Sequence, residues 1–247
     1  MSGNQLSKVA VEREPGRIKK TLIQLFMREA RLAERRHLGD RFFSLRLEGA
    51  ALRRVAWTPG QKIQISLGST FATRTYTPTE WDAANGSTRL LAYAHGDGPG
   101  SDWVRSSKVG DLCHLFGPRS SLDVEKMPAG ALLFGDETSI GLAIALTAHH
   151  RENPPRCIFE VNAAQETLAM LPAIGLPGAT VIERDPEGAH LQDIIQAIDA
   201  APPQKVAILT GKASSIQRLH RHLKQNGGSA RSVLTKAYWA PGKQGLD

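Results

Sequence analysis

Near Met127-Pro128-Ala129-Gly130 the chain changes rhythm, and that change constrains its fold more than any single motif. Ahead of it, six short segments alternate apolar and polar residues and read as strands. They are Arg31–Arg36, Phe42–Glu48, Lys62–Leu67, Arg74–Thr79, Leu90–His95 and Asp111–Phe116. Turn-forming residues separate them, at Leu38-Gly39-Asp40, Trp57-Thr58-Pro59-Gly60, Asn85-Gly86-Ser87 and Gly96–Gly100. Short strands punctuated this regularly predict a small antiparallel barrel. An amphipathic stretch, Ile18–Arg28, precedes them.

Past the break, strand-like apolar runs fall at Ala131–Gly135, Cys157–Val161, Ala179–Glu183, Val206–Leu209 and Ser232–Lys236. Helical patterns lie between them: Thr138–His150, Gln165–Leu171, Leu191–Ala200 and Ser214–Asn226. Strand and helix in turn predict a mostly parallel sheet covered on both faces. Two domains are therefore expected, residues 1–127 and 128–247, and 247 residues suffice for both.

The composition narrows the functional classes. Hydrophobic residues make up 41% and charged residues 22%, ordinary values for a soluble globular protein. No apolar run approaches the roughly 20 residues of a membrane helix. Met1–Lys20 is polar and charged, unlike a secretory signal. Cys113 and Cys157 are too few for a disulfide framework or a zinc site. The cytoplasm is the expected location, without membrane attachment. Basic residues outnumber acidic ones 14 to 6 over residues 1–62 and 8 to 1 over residues 205–247. Basic ends suit nucleic acid or a small anionic ligand. Aromatics interleaved with a dense basic stripe are missing, so no nucleic-acid partner is expected. His149-His150 and the His220/His222 pair lack metal-ligand spacing and read as surface features; no metal site is expected.

Several segments carry residues suited to chemistry. In Arg74-Thr75-Tyr76-Thr77-Pro78, Arg74 and Tyr76 share a strand face, a cation beside an aromatic surface. That pair suits a ligand with both a phosphate and a planar ring, though a surface arginine and a half-buried tyrosine is the plainer reading. His95-Gly96-Asp97-Gly98-Pro99-Gly100-Ser101-Asp102-Trp103 leaves a strand through three glycines and enters a short helix at Asp102–Ser107. Bare backbone before a helix N-terminus favours an anion such as a pyrophosphate; a tight turn with a cap is the alternative. Gly117-Pro118-Arg119-Ser120 either aims a guanidinium at the domain boundary or is an exit turn. Gly135-Asp136-Glu137-Thr138-Ser139 joins the first strand and helix of the second domain, where ligands of such sheets bind. Its two carboxylates would repel a pyrophosphate, and the GxGxxG fingerprint is missing. Tyr238-Trp239, between Lys236 and Lys243, either docks the terminus or covers a planar cofactor.

In this order, RTYTP at 74–78, HGDGPGSDW at 95–103, GDLCHLFGPRSS at 110–121, GDETS at 135–139 and YW at 238–239 resemble the siderophore-interacting protein family. These are FAD-dependent ferric-siderophore reductases of the ferredoxin–NADP reductase superfamily. The resemblance implies a six-stranded Greek-key barrel that binds FAD, followed by an α/β domain facing an electron donor. Carried over by position, Arg74 contacts the FAD phosphates, with Thr75 beside it. Tyr76 packs on the flavin or ribityl, and Thr77 lies near the reactive ring edge. His95, Gly96, Asp97, Gly98, Gly100, Ser101 and Trp103 form the pyrophosphate and adenine side, and Tyr238 and Trp239 lie over the cleft. Asp136, Glu137, Thr138 and Ser139 face the nicotinamide.

The sequence departs from that pattern in places. Thr79 stands where many relatives carry a second arginine, and Ser120 where a glycine is common. Gly211-Lys212-Ala213 adds a cation, so Lys212, Arg218 and Arg221 either select the NADPH 2′-phosphate or, for the two arginines, form a solvated helix face. The implied activity passes electrons from NADPH or NADH, or from reduced ferredoxin, to an anionic ferric siderophore and releases Fe(II). Arg119, Lys236 and Lys243 are the expected docking cations, and no acid–base residue is required. A monomer is expected. A general NAD(P)H:flavin-type oxidoreductase and a non-enzymatic ferric-siderophore carrier are the competing readings.

Overall fold

The computed structural model describes residues 27–67, 72–122, 126–202, 204–225 and 230–243. Most of the amphipathic stretch expected at Ile18–Arg28 lies outside the described residues, and Arg28 opens the first strand. The strands of the first sheet are β1 (Arg28–His37), β2 (Phe42–Glu48), β3 (Lys62–Ser66), β4 (Thr73–Tyr76), β5 (Pro78–Asp82), β6 (Ser87–Tyr93) and β7 (Leu112–Arg119). Their order is β4-β3-β7-β1-β2-β6-β5, and every neighbouring pair is antiparallel.

The sheet thus has seven strands where six were expected, because the segment Arg74–Thr79 is divided at Thr77. β4 pairs with β3 and β5 pairs with β6, at opposite edges of the sheet. Pro78 has no N–H to continue the β4 ladder, so it opens an edge strand instead. A single residue joins the two edges, and the sheet closes on itself as a barrel. Counting β4 and β5 as one crossing strand restores the expected six.

Alternation fills the barrel. Leu45 and Leu47 on β2, Ile63 and Ile65 on β3, Leu90 and Ala92 on β6, and Leu115 on β7 are fully buried in one cluster. Each buried leucine or isoleucine is worth roughly 1.5–3 kcal/mol. Helix α1 (Pro99–Ser106) adds Val104 to that core. It starts three residues before the expected Asp102, since proline suits the first helical position.

The second sheet holds β8 (Leu132–Asp136), β9 (Arg156–Val161), β10 (Thr180–Glu183), β11 (Gln204–Lys212) and β12 (Ala230–Trp239). Its order is β10-β9-β8-β11-β12 and all pairs are parallel. Helices α2 (Ile140–His149), α3 (Ala164–Met170), α4 (His190–Asp199) and α5 (Ala213–Gln225) cover it. Leu133, Phe159 and Ile208 pack on one face with Leu142, Leu146 and Met170. Leu132, Phe134, Ile158 and Leu209 pack on the other with Ile194, Ile198 and Leu219.

Phe42, Leu122 and Met127 belong to the first of those clusters, so the barrel docks on the α2–α3 face. This core crosses the expected boundary at residue 127. β12 runs three residues beyond the expected Lys236. The aromatic pair expected as a tail, Tyr238-Trp239, is therefore the end of a paired strand, with Trp239 opposite Lys212.

Candidate functional site

On the barrel, Arg74 and Thr75 are exposed on β4, and Tyr76 is half-buried. The Arg74 stem lies against Gly100 at the start of α1, where an added Cβ would stand 2.9 Å from Arg74 Cγ. Arg74 Nη1 donates to the Thr73 carbonyl at 2.9 Å. The Tyr76 and Trp103 rings meet with centroids 6.1 Å apart. Burial pushes the Tyr76 hydroxyl pKa up, partly offset by the Arg74 cation.

The loop from His95 to Asp97 is exposed, and added Cβ atoms at Gly96 and Gly98 would meet nothing within 4 Å. Ser101 Oγ closes the loop by donating to the His95 carbonyl at 2.7 Å. Gly98 caps α1 without a side-chain hydrogen bond, so the first turn keeps open amides for an anion. A cation, two aromatic rings and bare backbone on one barrel edge fit an FAD phosphate and its attached ring system.

On the second domain, β9 and β10 lie to one side of β8, and β11 and β12 to the other. The crevice between the carboxyl ends of β8 and β11 is where ligands of such sheets bind. Asp136 ends β8 there, wholly buried. Its carboxylate accepts from the Thr138 amide at 2.9 Å, from the Thr138 hydroxyl, and from Trp239 Nε1 at 2.7 Å. Burial raises its pKa to about 6, against the pull of the Thr138 and Trp239 hydrogen bonds. Gly211 packs over it with φ +95°, and a Cβ there would stand 2.4 Å from Asp136 Oδ2.

The neighbouring residues mostly knit the sheet edge. Glu137 is buried and accepts from the Asn162 amide at 2.7 Å and from Arg184 Nη2 at 3.1 Å. Ser139 is buried and accepts from the Thr210 hydroxyl at 2.9 Å. Of the four residues expected at the nicotinamide, Thr138 alone is exposed. Lys212 and Arg184 lie 5.8 and 5.9 Å from the Trp239 ring centroid. Arg218 sits exposed on α5.

Thr77 joins the two sides. Its carbonyl oxygen lies 3.0 Å from where a Cβ on Gly141 of α2 would be, and its side chain hydrogen-bonds Tyr238. Enclosure of the Tyr238 hydroxyl pushes its pKa up. The expected docking cations occupy three separate segments. Arg119 ends β7, where it donates to Gln64 Oε1 at 2.7 Å and lies over Phe116. Lys236 is half-buried on β12, and Lys243 is exposed beyond it. Among the described residues, no group of three or more His, Cys, Asp or Glu gathers in a metal-binding cluster.

Sequence reasoning missed a buried ionic network beneath the crevice. Glu160 on β9 is wholly buried and meets His190 Nε2 at 2.9 Å and Ser215 Oγ at 2.8 Å. The Asp185 amide donates to His190 Nδ1, so Nε2 carries the ring proton toward the carboxylate. Arg184 Nη2 lies 3.9 Å from Glu160 and ties this network to Glu137. The available signal was a glutamate inside an otherwise apolar strand, Cys157–Val161.

Two family models match the chain, the siderophore-interacting FAD-binding domain over residues 45–122 and the siderophore-interacting protein over residues 128–242. The chain belongs to the siderophore-interacting protein family. A siderophore utilization protein from T. fusca superposes with a TM-score of 0.71 at 20% identity, covering 90% of this chain and 95% of that one. The siderophore-interacting protein SipS from Aeromonas hydrophila gives 0.69 at 18% identity, with 88% and 93% covered. Phthalate dioxygenase reductase gives 0.65 at 15% identity, with 88% and 70% covered. These likenesses establish a ferredoxin-reductase-like fold. A search of the curated proteins found no match. Among the described residues, no helix is long and apolar enough to cross a membrane.

Proposed function

We propose that this siderophore-interacting protein is an FAD-dependent ferric-siderophore reductase, acting as a monomer in the cytoplasm. The observation that carries the reading is Arg74 lying across Gly100 at the uncapped start of α1, beside Tyr76 and Trp103, inside a siderophore-interacting FAD-binding domain. Arg74 and the first amides of α1 hold the FAD phosphates, and Gly96 and Gly98 let the backbone approach them. Tyr76 would pack on the flavin or ribityl, and Trp103 would lie on the pyrophosphate and adenine side. FAD held there would supply the conversion of a two-electron donor to one-electron transfers, so that one NADPH or NADH would serve two ferric ions. Reduced ferredoxin is the alternative donor, supplying one electron at a time.

Thr77 and Tyr238 hold the barrel against the carboxyl edge of the second sheet, which brings the two substrates to one cleft. Thr138 and Lys212 bind the nicotinamide donor from that edge, with Arg218 on α5 as the outer cation. Asp136, Glu137 and Ser139 act from beneath it by holding the edge in shape. Arg119, Lys236 and Lys243 attract the anionic ferric siderophore. Reduction weakens the grip of its hard oxygen ligands on the metal.

The test is an anaerobic titration of the FAD-loaded protein, first with NADPH and then with a ferric catecholate. Flavin bands that bleach and then return support the reading. Bleaching by reduced ferredoxin alone keeps the reductase and changes the donor. A protein that takes up no FAD overturns the reading in favour of a carrier.

A further inference from the structure

Tyr93 ends β6, two residues before His95 and the glycine loop. Its ring stacks on His95, with centroids 5.1 Å apart and planes at 25°. It also packs on Phe42 at 4.8 Å. The hydroxyl meets Glu137 and Asn162 of the second domain, with the Arg41 cation beside it. Burial, followed by the Glu137 charge, raises the hydroxyl pKa.

Arg41 lies in the β1–β2 turn and is itself gripped by the second domain. Glu166 of α3 accepts from the Arg41 amide at 2.8 Å and from Arg41 Nε at 3.0 Å. Gly39 in the same turn lets Glu166 come close, since a Cβ there would stand 2.9 Å from its Oε1. Tyr93 is therefore held at its hydroxyl by one domain, while its ring supports a loop of the other.

We propose that Tyr93 is a positioning residue through which the seating of the second domain sets the His95–Ser101 loop, so that affinity for FAD depends on Asn162 and Glu137. The proposal rests on the reading of that loop as the FAD pyrophosphate site. A loop with three glycines has unusual conformational freedom to lose when it closes on a ligand. Orienting its first residue beforehand removes part of that cost from binding. Glu137 and Asn162 belong to the second sheet's edge and meet the barrel at Tyr93.

The experiment measures FAD dissociation constants by flavin fluorescence for the full chain, Tyr93→Phe, Asn162→Ala and the double variant, with melting temperatures alongside. Each single variant is expected to bind FAD about three- to tenfold more weakly, the range of one lost hydrogen bond. Tyr93→Phe should change the melting temperature little, whereas Asn162→Ala also loses the bond from Arg184 and should melt lower. The double variant should bind no more weakly than the weaker single one, because both remove the same link. Tyr93→Leu, which also removes the stack on His95, should bind more weakly still. Wild-type affinity in both single variants would overturn the proposal, as would losses that simply add. A wild-type chain that binds no FAD sinks the functional reading instead, so the two failures are distinct.

Discussion

Trp239 Nε1 donates to Asp136 Oδ2 across 2.7 Å, joining the carboxyl ends of β12 and β8 over the intervening strand β11. Gly211 of β11 makes the crossing possible, because any side chain there would occupy the carboxylate's place. Its φ of +95° also favours glycine. The bond seats a large aromatic ring at the crevice, its centroid 5.8 Å from the Lys212 cation and 5.9 Å from that of Arg184.

A buried carboxylate whose pKa is raised to about 6 makes the fold less stable when ionised. The folded state then holds its proton over a range where the unfolded state has released it. This contribution is largest below about pH 4 and is lost as pH rises through 6, amounting to about 3 kcal/mol. Asp136→Asn should remove that slope. Urea denaturation between pH 4 and 7 should show the difference between wild type and variant shrinking or reversing toward neutral pH. A parallel pair of stability curves would contradict the assignment.

Arg184 should matter far more to stability than an exposed arginine. Its side chain is 10% exposed and faces Glu137 and Glu160, which are 4% and 0% exposed. Arg184→Met takes the paired cation from the buried Glu137 carboxylate and should cost about 3–5 kcal/mol in urea denaturation. Arg36, 65% exposed in its pair with Glu34, should cost under about 1 kcal/mol on replacement by alanine.

Gly100→Ala separates binding from folding. Alanine favours the helix by about 1 kcal/mol, which offsets the contact with the flexible, exposed Arg74. Arg74 must move, however, and FAD binding should weaken about tenfold while the melting temperature stays near wild type. Flavin fluorescence titration and thermal melting of the same samples check both halves.

Lys212→Ala tests the choice of donor. Loss of a cation facing a 2′-phosphate should raise the KM for NADPH about tenfold. The KM for NADH should stay within about twofold. Equal changes for both dinucleotides would assign Lys212 a role at the shared pyrophosphate or at Trp239.

The barrel strands were legible where alternation was clean, as at Phe42–Glu48, whose bounds coincide with β2. The strand at Arg74–Thr79 was legible as extended chain, but its division was not. The hydrogen-bonding partners change from β3 to β6 across Thr77, and which strands those partners are is decided by tertiary pairing. On the candidate site, Arg74, Tyr76 and the glycine loop announced themselves through residue type. Tyr93, Arg41, Glu160 and Arg184 did not, because a polar residue in a strand or turn looks the same whether it faces water or a buried partner.

By itself the sequence determined the class of each half, a barrel of short strands and then a parallel sheet with helices. Periodicities of two and 3.6 record which side of each element is buried, and that is a local property. Only the tertiary structure decided that Trp239 reaches Asp136, that Tyr238 reaches Thr77, and that Tyr93 stands between the domains. Those contacts depend on strand order and on the docking of one core against another. They join residues whose separation along the chain carries no periodic signal.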